Sequence, residues 1–173
     1  NLLNRDFYAE KPNEKWVTDV TEFSLFGKKL YLSPILDLHS SYLVSYTISE
    51  HPTLSMVTSM LEKAFVNIPD NTNLILHSDQ GWQYQHKQYQ RMLHNKGIRQ
   101  SMSRKGNCLD NSVMENFFGI LKSELLYLQK FESMEQFKQE LVDYLDYYNN
   151  RRIKTKLKGL SPALYRQQAL MAS

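Results

Sequence analysis

Followed by its apolar and polar positions, the chain changes period twice. Residues 15–23, KWVTDVTEF, are β-branched and aromatic, as expected of a strand buried on both faces. Gly27 and Lys28 turn the chain into a second strand over about 30–38, and Ser40-Ser41 turn it into a third over 42–48. Three strands joined by short turns predict an antiparallel meander. Pro34 fits the second strand poorly, because proline donates no ladder hydrogen bond, and it predicts a bulge or an edge. After Pro52 the spacing becomes helical: Leu54, Val57, Leu61, Ala64 and Phe65 mark one amphipathic face. Leu74-Ile75-Leu76 reads as a short buried strand, His86 to Lys96 as a helix stopped by Gly97, and residues 98–102 as a further strand.

Helices complete the chain. One carries Leu109, Val113, Phe117 and Leu121 as its stripe and runs to about Leu128. The next is capped by Ser133 with Gln136; its stripe is Phe137, Leu141, Tyr144 or Leu145, and Tyr148, and it ends at Asn149-Asn150. Ser161-Pro162 starts a short last helix. This order predicts an α/β fold: a five-stranded mixed sheet, antiparallel meander first and parallel strands after, flanked by helices. Residues 1–14 read as an N-terminal arm, 15–150 as the core of one domain, and 151–173 as a basic loop with a short helix.

Composition narrows this little. With 173 residues, 42% hydrophobic and 23% charged, the chain fits one soluble globular domain. It has no apolar run of membrane-spanning length and no secretory signal. One cysteine, Cys108, excludes an internal disulfide and fits a reducing compartment, hence the cytoplasm. The chain begins at Asn1 rather than methionine, as a piece of a longer protein would. Charge is more informative in its distribution: residues 151–166 hold six Lys or Arg and no acid, against a net charge of +3. Such a run, with Arg151, Arg152 and Lys154 at its start, is either an ordinary solvated loop or a contact with a DNA backbone, and the absence of any acid favours the second.

Three acids stand out. Asp19 lies mid-strand, where a buried carboxylate needs a partner or a metal. Asp79 lies where a buried strand meets the loop HSDQG; it is either a site residue or the start of an Asx-turn before Gly81. Glu115 sits off the stripe of its helix, with Asn111 and Gly119 on the same side and Lys122 two turns on. It is either a site residue or the distal half of a capping box begun by Ser112. Asp37 is a further acid whose simpler reading is a turn. If the first and fourth strands are neighbours, Asp19 and Asp79 face each other and the Glu115 helix packs across the same edge. Three carboxylates without cations repel; Mg²⁺ or Mn²⁺ relieves the repulsion and suits phosphoryl transfer with two ions about 3.5–4 Å apart.

The segments WVTDVTEF, HSDQGWQY, SRKGNCLDNSVMENFFGILKSE and YNNRRIKTKLKGLSPALYR together resemble the catalytic core of bacterial insertion-sequence transposases, in the integrase-like group with a DDE triad. The likeness spans nearly the whole chain, and the thirty-five residues between Asp79 and Glu115 match that group's spacing. It implies a ribonuclease-H-like fold, with Asp19, Asp79 and Glu115 as catalytic metal ligands for two Mg²⁺ or Mn²⁺ ions. It further implies cleavage at a transposon end to free a 3′-hydroxyl, attack by that hydroxyl on another phosphodiester, and self-association that pairs two ends. The helix-turn-helix region that such transposases carry at the N-terminus is missing from this sequence. Arg104, Lys105 and Lys122 either hold phosphates beside the metals or are solvated surface charges, and Asn111 either orients substrate or scaffolds its loop. Trp82 and Tyr84 either stack on unpaired bases or pack, and His77 either supports the site or is a satisfied core histidine. A stand-alone nuclease of the same fold and a catalytically silent DNA-binding or assembly module are the competing functions; retention of all three acids argues against the second.

Overall fold

The computed structural model describes residues 1–172. In place of one strand over residues 15–23 there are two, β1 (Lys15–Thr18) and β2 (Thr21–Leu25). They are followed by β3 (Lys28–Asp37) and β4 (Tyr42–Ser49), then by β5 (Ile75–Ser78) and β6 (Arg99–Met102). The sheet therefore has six strands rather than the five expected. The extra one comes from a gap. Thr18 pairs with Ile35 and Thr21 with Leu32, so β1 and β2 lie end to end along β3 in one register, and Asp19 falls opposite Pro34.

Pro34 explains the gap. The Leu38 N–H donates to the Lys15 carbonyl at 2.9 Å. In an antiparallel ladder such exchanges recur at every second pair, and two steps on stand Asp19 and Pro34. Proline has no N–H to give, so the ladder opens there. The Pro34 carbonyl, turned to the same side, accepts instead from the Thr18 hydroxyl at 2.7 Å. The bulge expected near Pro34 is also present, as a register slip against β4 between Ile35 and Leu36.

β3 runs antiparallel to β1, β2 and β4, whereas β5 runs parallel to β1 and β6 parallel to β5. Both faces are covered, because alternate strand residues point to opposite sides. Trp16, Ile35 and Leu76 pack with Val57, Met60 and Leu61 of α1 (Leu54–Phe65) and with Tyr89 and Leu93 of α3 (Lys87–Lys96), which follows the single turn α2 (Trp82–Gln85). On the other face Val17, Phe23, Leu32 and Leu36 pack with α4 (Ser112–Leu121) and α5 (Met134–Asn150). The α5 stripe is the one expected, Phe137, Leu141, Tyr144, Leu145 and Tyr148, and Ser133 caps the helix by accepting from the Gln136 N–H at 3.1 Å. α3 ends at Gly97 with φ +78°, against Asn71, where a side chain has no room.

The stripe of α4 differs from expectation. Its buried residues are Met114, Phe117, Phe118 and Leu121, while Leu109 is 57% exposed. The helix starts only at Ser112, and Leu109 belongs to a preceding 3₁₀ turn, Cys108–Asn111, which points it elsewhere. The helix also does not continue regularly to Leu128: a π turn, Lys122–Leu126, ends it, with the Tyr127 N–H reaching back to the Lys122 carbonyl at 3.0 Å. Residues 1–14 lie against the body, with Leu3 buried in the core. α6 (Pro162–Ala172) is capped by Ser161. No helix among the described residues is long and apolar enough to cross a membrane.

β4 is an edge strand, and part of its edge is closed by a side chain. The Leu43 N–H donates to Asn149 Oδ1 at 2.8 Å, and Asn149 Nδ2 donates to the Leu43 carbonyl at 2.9 Å, as a neighbouring strand would do. Asn149→Ala removes both bonds at a half-buried site and is expected to cost about 1–3 kcal/mol in urea unfolding. An unfolding midpoint equal to the wild type's would show that water replaces the amide without loss.

Candidate active site

β1 and β5 pair with a constant offset, Val17 beside His77; carried two residues further, that register sets Asp19 beside Asp79. Asp19 sits in the opened ladder and Asp79 just past the end of β5. α4 packs over the same end of β1 and carries Glu115 in its first turn. All three acids line one cavity of about 400 Å³, together with Arg104, Lys105 and Asn111.

Each acid has a distinct environment. Asp19 is half-buried and accepts from the Val20 N–H at 2.8 Å. Burial, and after it the charge of Asp79, push its pKa up to about 7; Glu115 adds to the rise and the Val20 N–H opposes it. Asp79 does form the Asx-turn: Oδ1 accepts from the Gly81 N–H at 2.7 Å. A β-carbon on Gly81 would lie 3.0 Å from that oxygen and 3.4 Å from the Tyr84 ring, a tight fit that a larger residue would have to push apart. The turn occupies one carboxylate oxygen, and the residue still faces the cavity. The capping box does not form: Asn111 holds the cap position of α4 without a side-chain cap, and Ser112 is already inside the helix.

Among the described residues no three His, Cys, Asp or Glu side chains stand close enough to hold a metal ion as they are. Glu115 remains exposed. Like charges favour such spacing. The donor chemistry nevertheless suits a hard cation, since every candidate ligand is oxygen. Asn111 adds to it: Nδ2 donates to the Thr18 carbonyl at 3.1 Å, tying α4 to the residue before Asp19, while its buried Oδ1 has no partner.

The basic residues separate into exposed and committed ones. Lys105 lines the cavity and is exposed. Arg104 lines it too, but its guanidinium grips Asp110 through Nη2 at 2.8 Å and Nε at 3.0 Å. Lys122 does not line the cavity; its ammonium lies 5.7 Å from the centre of the Phe23 ring. Arg151 is exposed over Tyr147. Arg152 is committed to Glu124, through Nε at 2.9 Å and Nη2 at 2.7 Å, and the Tyr144 hydroxyl donates to the same carboxylate at 2.9 Å. Lys154 is half-buried, which lowers its pKa. Lys156 and Lys158 are the other exposed cations of this loop.

His77 is a satisfied core histidine: Nδ1 lies 2.7 Å from the Ser101 hydroxyl and Nε2 3.1 Å from that of Ser103. Tyr84 is buried and not available for stacking, whereas Trp82 is 57% exposed. Asp37 is structural, accepting from Arg166 at 2.6 Å and from the N–H groups of Asn13 and His39. The residue that sequence reasoning passes over is Asp110; an aspartate between a basic pair and Asn111 is its only signal.

A family model described as "Integrase core domain" matches residues 9–108, and a second of the same description matches residues 115–170. The chain is 55% identical over 171 residues to the InsK protein for insertion sequence element IS150 of Escherichia coli (strain K12), covering 99% of this chain and 60% of that protein. It is 52% identical over 170 residues to an uncharacterized transposase-like protein of Haemophilus influenzae, covering 98% of this chain and 78% of that one. Among solved structures, the HTLV-2 integrase catalytic core domain in complex with magnesium superposes with a TM-score of 0.67 at 18% identity, over 94% of this chain and 99% of that one. The fold is thus the ribonuclease-H-like one of integrase cores.

The raised pKa of Asp19 has a sign that can be measured. Between its ordinary value of 3.8 and about 7, the folded state holds a proton that the unfolded state has lost, so stability falls as pH rises through that window. The whole effect is at most on the order of 4 kcal/mol. His77 and His39 act oppositely: burial lowers their pKa, so they favour folding as pH rises towards the ordinary histidine value of 6.5. The difference between wild type and Asp19→Asn isolates the carboxylate. In EDTA the variant is expected to be the more stable at pH 8, and the gap to close towards pH 4. A pH-independent gap in urea melts would contradict the assignment.

Proposed function

Because this chain belongs to the integrase core domain family, we propose that it is the catalytic core of an insertion-element transposase, cleaving and joining DNA strands at the ends of a mobile element. The chain spans about 60% of the length of its E. coli relative, so the activity proposed is that of the core within a longer protein. The observation that carries the reading is the meeting of Asp19, Asp79 and Glu115, from three separate elements, at one cavity with basic residues on its rim.

In this reading the three carboxylates hold Mg²⁺ or Mn²⁺, two ions in the active complex. When bound, the ions polarise the scissile phosphate and stabilise the attacking and leaving oxygens. The burial-raised pKa of Asp19 favours that role, because a cation restores the charged form that the empty pair resists. Lys105 and the Arg104 guanidinium steady the phosphates, and Asn111 fixes the start of α4 against Thr18. Water attacks first and frees a 3′-hydroxyl; that hydroxyl then attacks a second phosphodiester, and each step exchanges one P–O bond for another. The exposed cations of the loop after α5 follow the DNA backbone. The substrate is chromosomal or plasmid DNA in the bacterial cytoplasm, and self-association brings two ends together.

A strand-transfer assay with pre-cut element ends and Mn²⁺ tests the proposal. Joined products support it; nicks that are never joined indicate a nuclease, and binding without cleavage a silent module. Glu115→Gln is expected to reduce cleavage and joining by at least about 100-fold, comparable to losing other electrostatic stabilisers of a transition state. Its melting in EDTA should match the wild type's, since no cap is lost; a variant that melts early and still cuts would end the assignment.

Arg151 and Arg152 give a paired test. Arg151→Ala should weaken binding to all DNA sequences alike and lower the salt slope by roughly 0.9 for each phosphate it no longer neutralises. Arg152→Ala should instead lower stability by about 1–3 kcal/mol, because it strands Glu124. Equal salt slopes in wild type and Arg151→Ala would remove this loop from the DNA path.

A further inference from the structure

Asp110 has no solvent-accessible surface, and both its oxygens are taken. Oδ1 accepts from Arg5 Nε and from Arg104 Nη2, each at 2.8 Å. Oδ2 accepts from the Arg104 backbone N–H at 2.8 Å and from its Nε at 3.0 Å. Two guanidiniums hold this carboxylate well below the ordinary range, so it stays charged. Fully engaged in this way, it has no lone pair to spare for a metal or a substrate.

Its partners join three places. Arg104 stands in the cavity wall, more than half exposed yet fixed in plane by a two-point grip. Asn111, the next residue after Asp110, ties the start of α4 to the carbonyl that precedes Asp19. Arg5 belongs to the N-terminal segment, which has a second hold nearby: the Leu3 N–H donates to the Ser101 hydroxyl, itself 2.7 Å from His77. Between these holds runs the loop of residues 103–111, with Gly106 at φ +69° and its tip open to solvent. Left alone, such a loop samples many conformations.

We infer that Asp110 is a positioning residue for the strand-cleaving reaction, and that through Arg5 the N-terminal segment forms part of the active site's support. Asp110 sets the plane of Arg104 towards the phosphates and the approach of Glu115 towards Asp19 and Asp79. The inference rests on the function proposed above, and it makes the segment before residue 6 a route by which a change in that segment reaches the site.

Arg5→Ala is the first variant to test, because Arg5 is partly exposed and outside the cavity. Three measurements on the whole chain decide: amide exchange over residues 104–110, the kcat and KM of end cleavage with Mn²⁺, and thermal melting. Exchange at Arg104 should accelerate about tenfold or more through local opening. The kcat should fall about tenfold or more while KM for end DNA stays within about twofold, as for a loss of alignment rather than of binding. Arg5→Lys, which keeps the charge without the planar fork, should recover part of both. Asp110→Asn should show the same pattern more strongly. Wild-type exchange and wild-type kcat in Arg5→Ala, with only a lower melting temperature, would reduce the cluster to ordinary stability and overturn the inference. If the wild type itself cuts no DNA, the function proposal falls, and exchange alone still decides whether the segment grips the loop.

Discussion

Asp19 needs a strand position that is held on both sides and still released from its ladder, and a single missing N–H provides it. Pro34 stands opposite Asp19 in the register of β3 and cannot donate to it. The neighbouring pairs on both sides remain closed, so the interruption is two residues long and does not spread. A polar side chain can leave the sheet there without leaving the core. Asp79 then needs no special device. It arrives beside Asp19 because β5 runs parallel to β1 in fixed register, and an Asx-turn through Gly81 stops it at that point.

Crowding of like charge is the second constraint. Burial and the nearness of Asp79 both work against ionising Asp19, and Glu115 adds to the burden. A fold does not accumulate such cost for packing; two apolar residues would fill the same volume at less expense. Of the cations lining the cavity, Arg104 pairs with Asp110 and Lys105 is exposed to solvent. The electrostatics therefore leave room for positive charge from outside.

Much of this is legible along the chain, and for local reasons. Caps and stripes depend on residues three or four apart, so α5 and α6 follow their sequence signals closely. Asp19 stands out in the sequence because an acid is disfavoured in mid-strand, whereas Asp79 and Glu115 occupy a turn and a first helical turn, where acids are common. What cannot be read is what depends on partners distant in sequence. The break of the first strand is caused by a proline fifteen positions later, and only the register reveals it. The α4 stripe departs from its apparent spacing for a local reason, since the 3₁₀ turn just before the helix takes up Leu109. Arg152, indistinguishable in sequence from Arg151, is withdrawn from the surface by Glu124 at a distance of 28 residues.

The other buried carboxylate, Asp37, lies at the far end of β3 from the β2–β3 hairpin and draws the two ends of the chain to one point. Arg166 of α6 grips it at 2.6 Å, reaches Asn13 at 2.8 Å, and lies 4.7 Å from the centre of the Tyr42 ring. Mechanically this is a buckle: the described chain is closed into a ring by an ionic clasp rather than a covalent bond. The tail is thus fastened at one end of β3, through Arg166 on Asp37, while the head is fastened elsewhere, through Arg5 on Asp110.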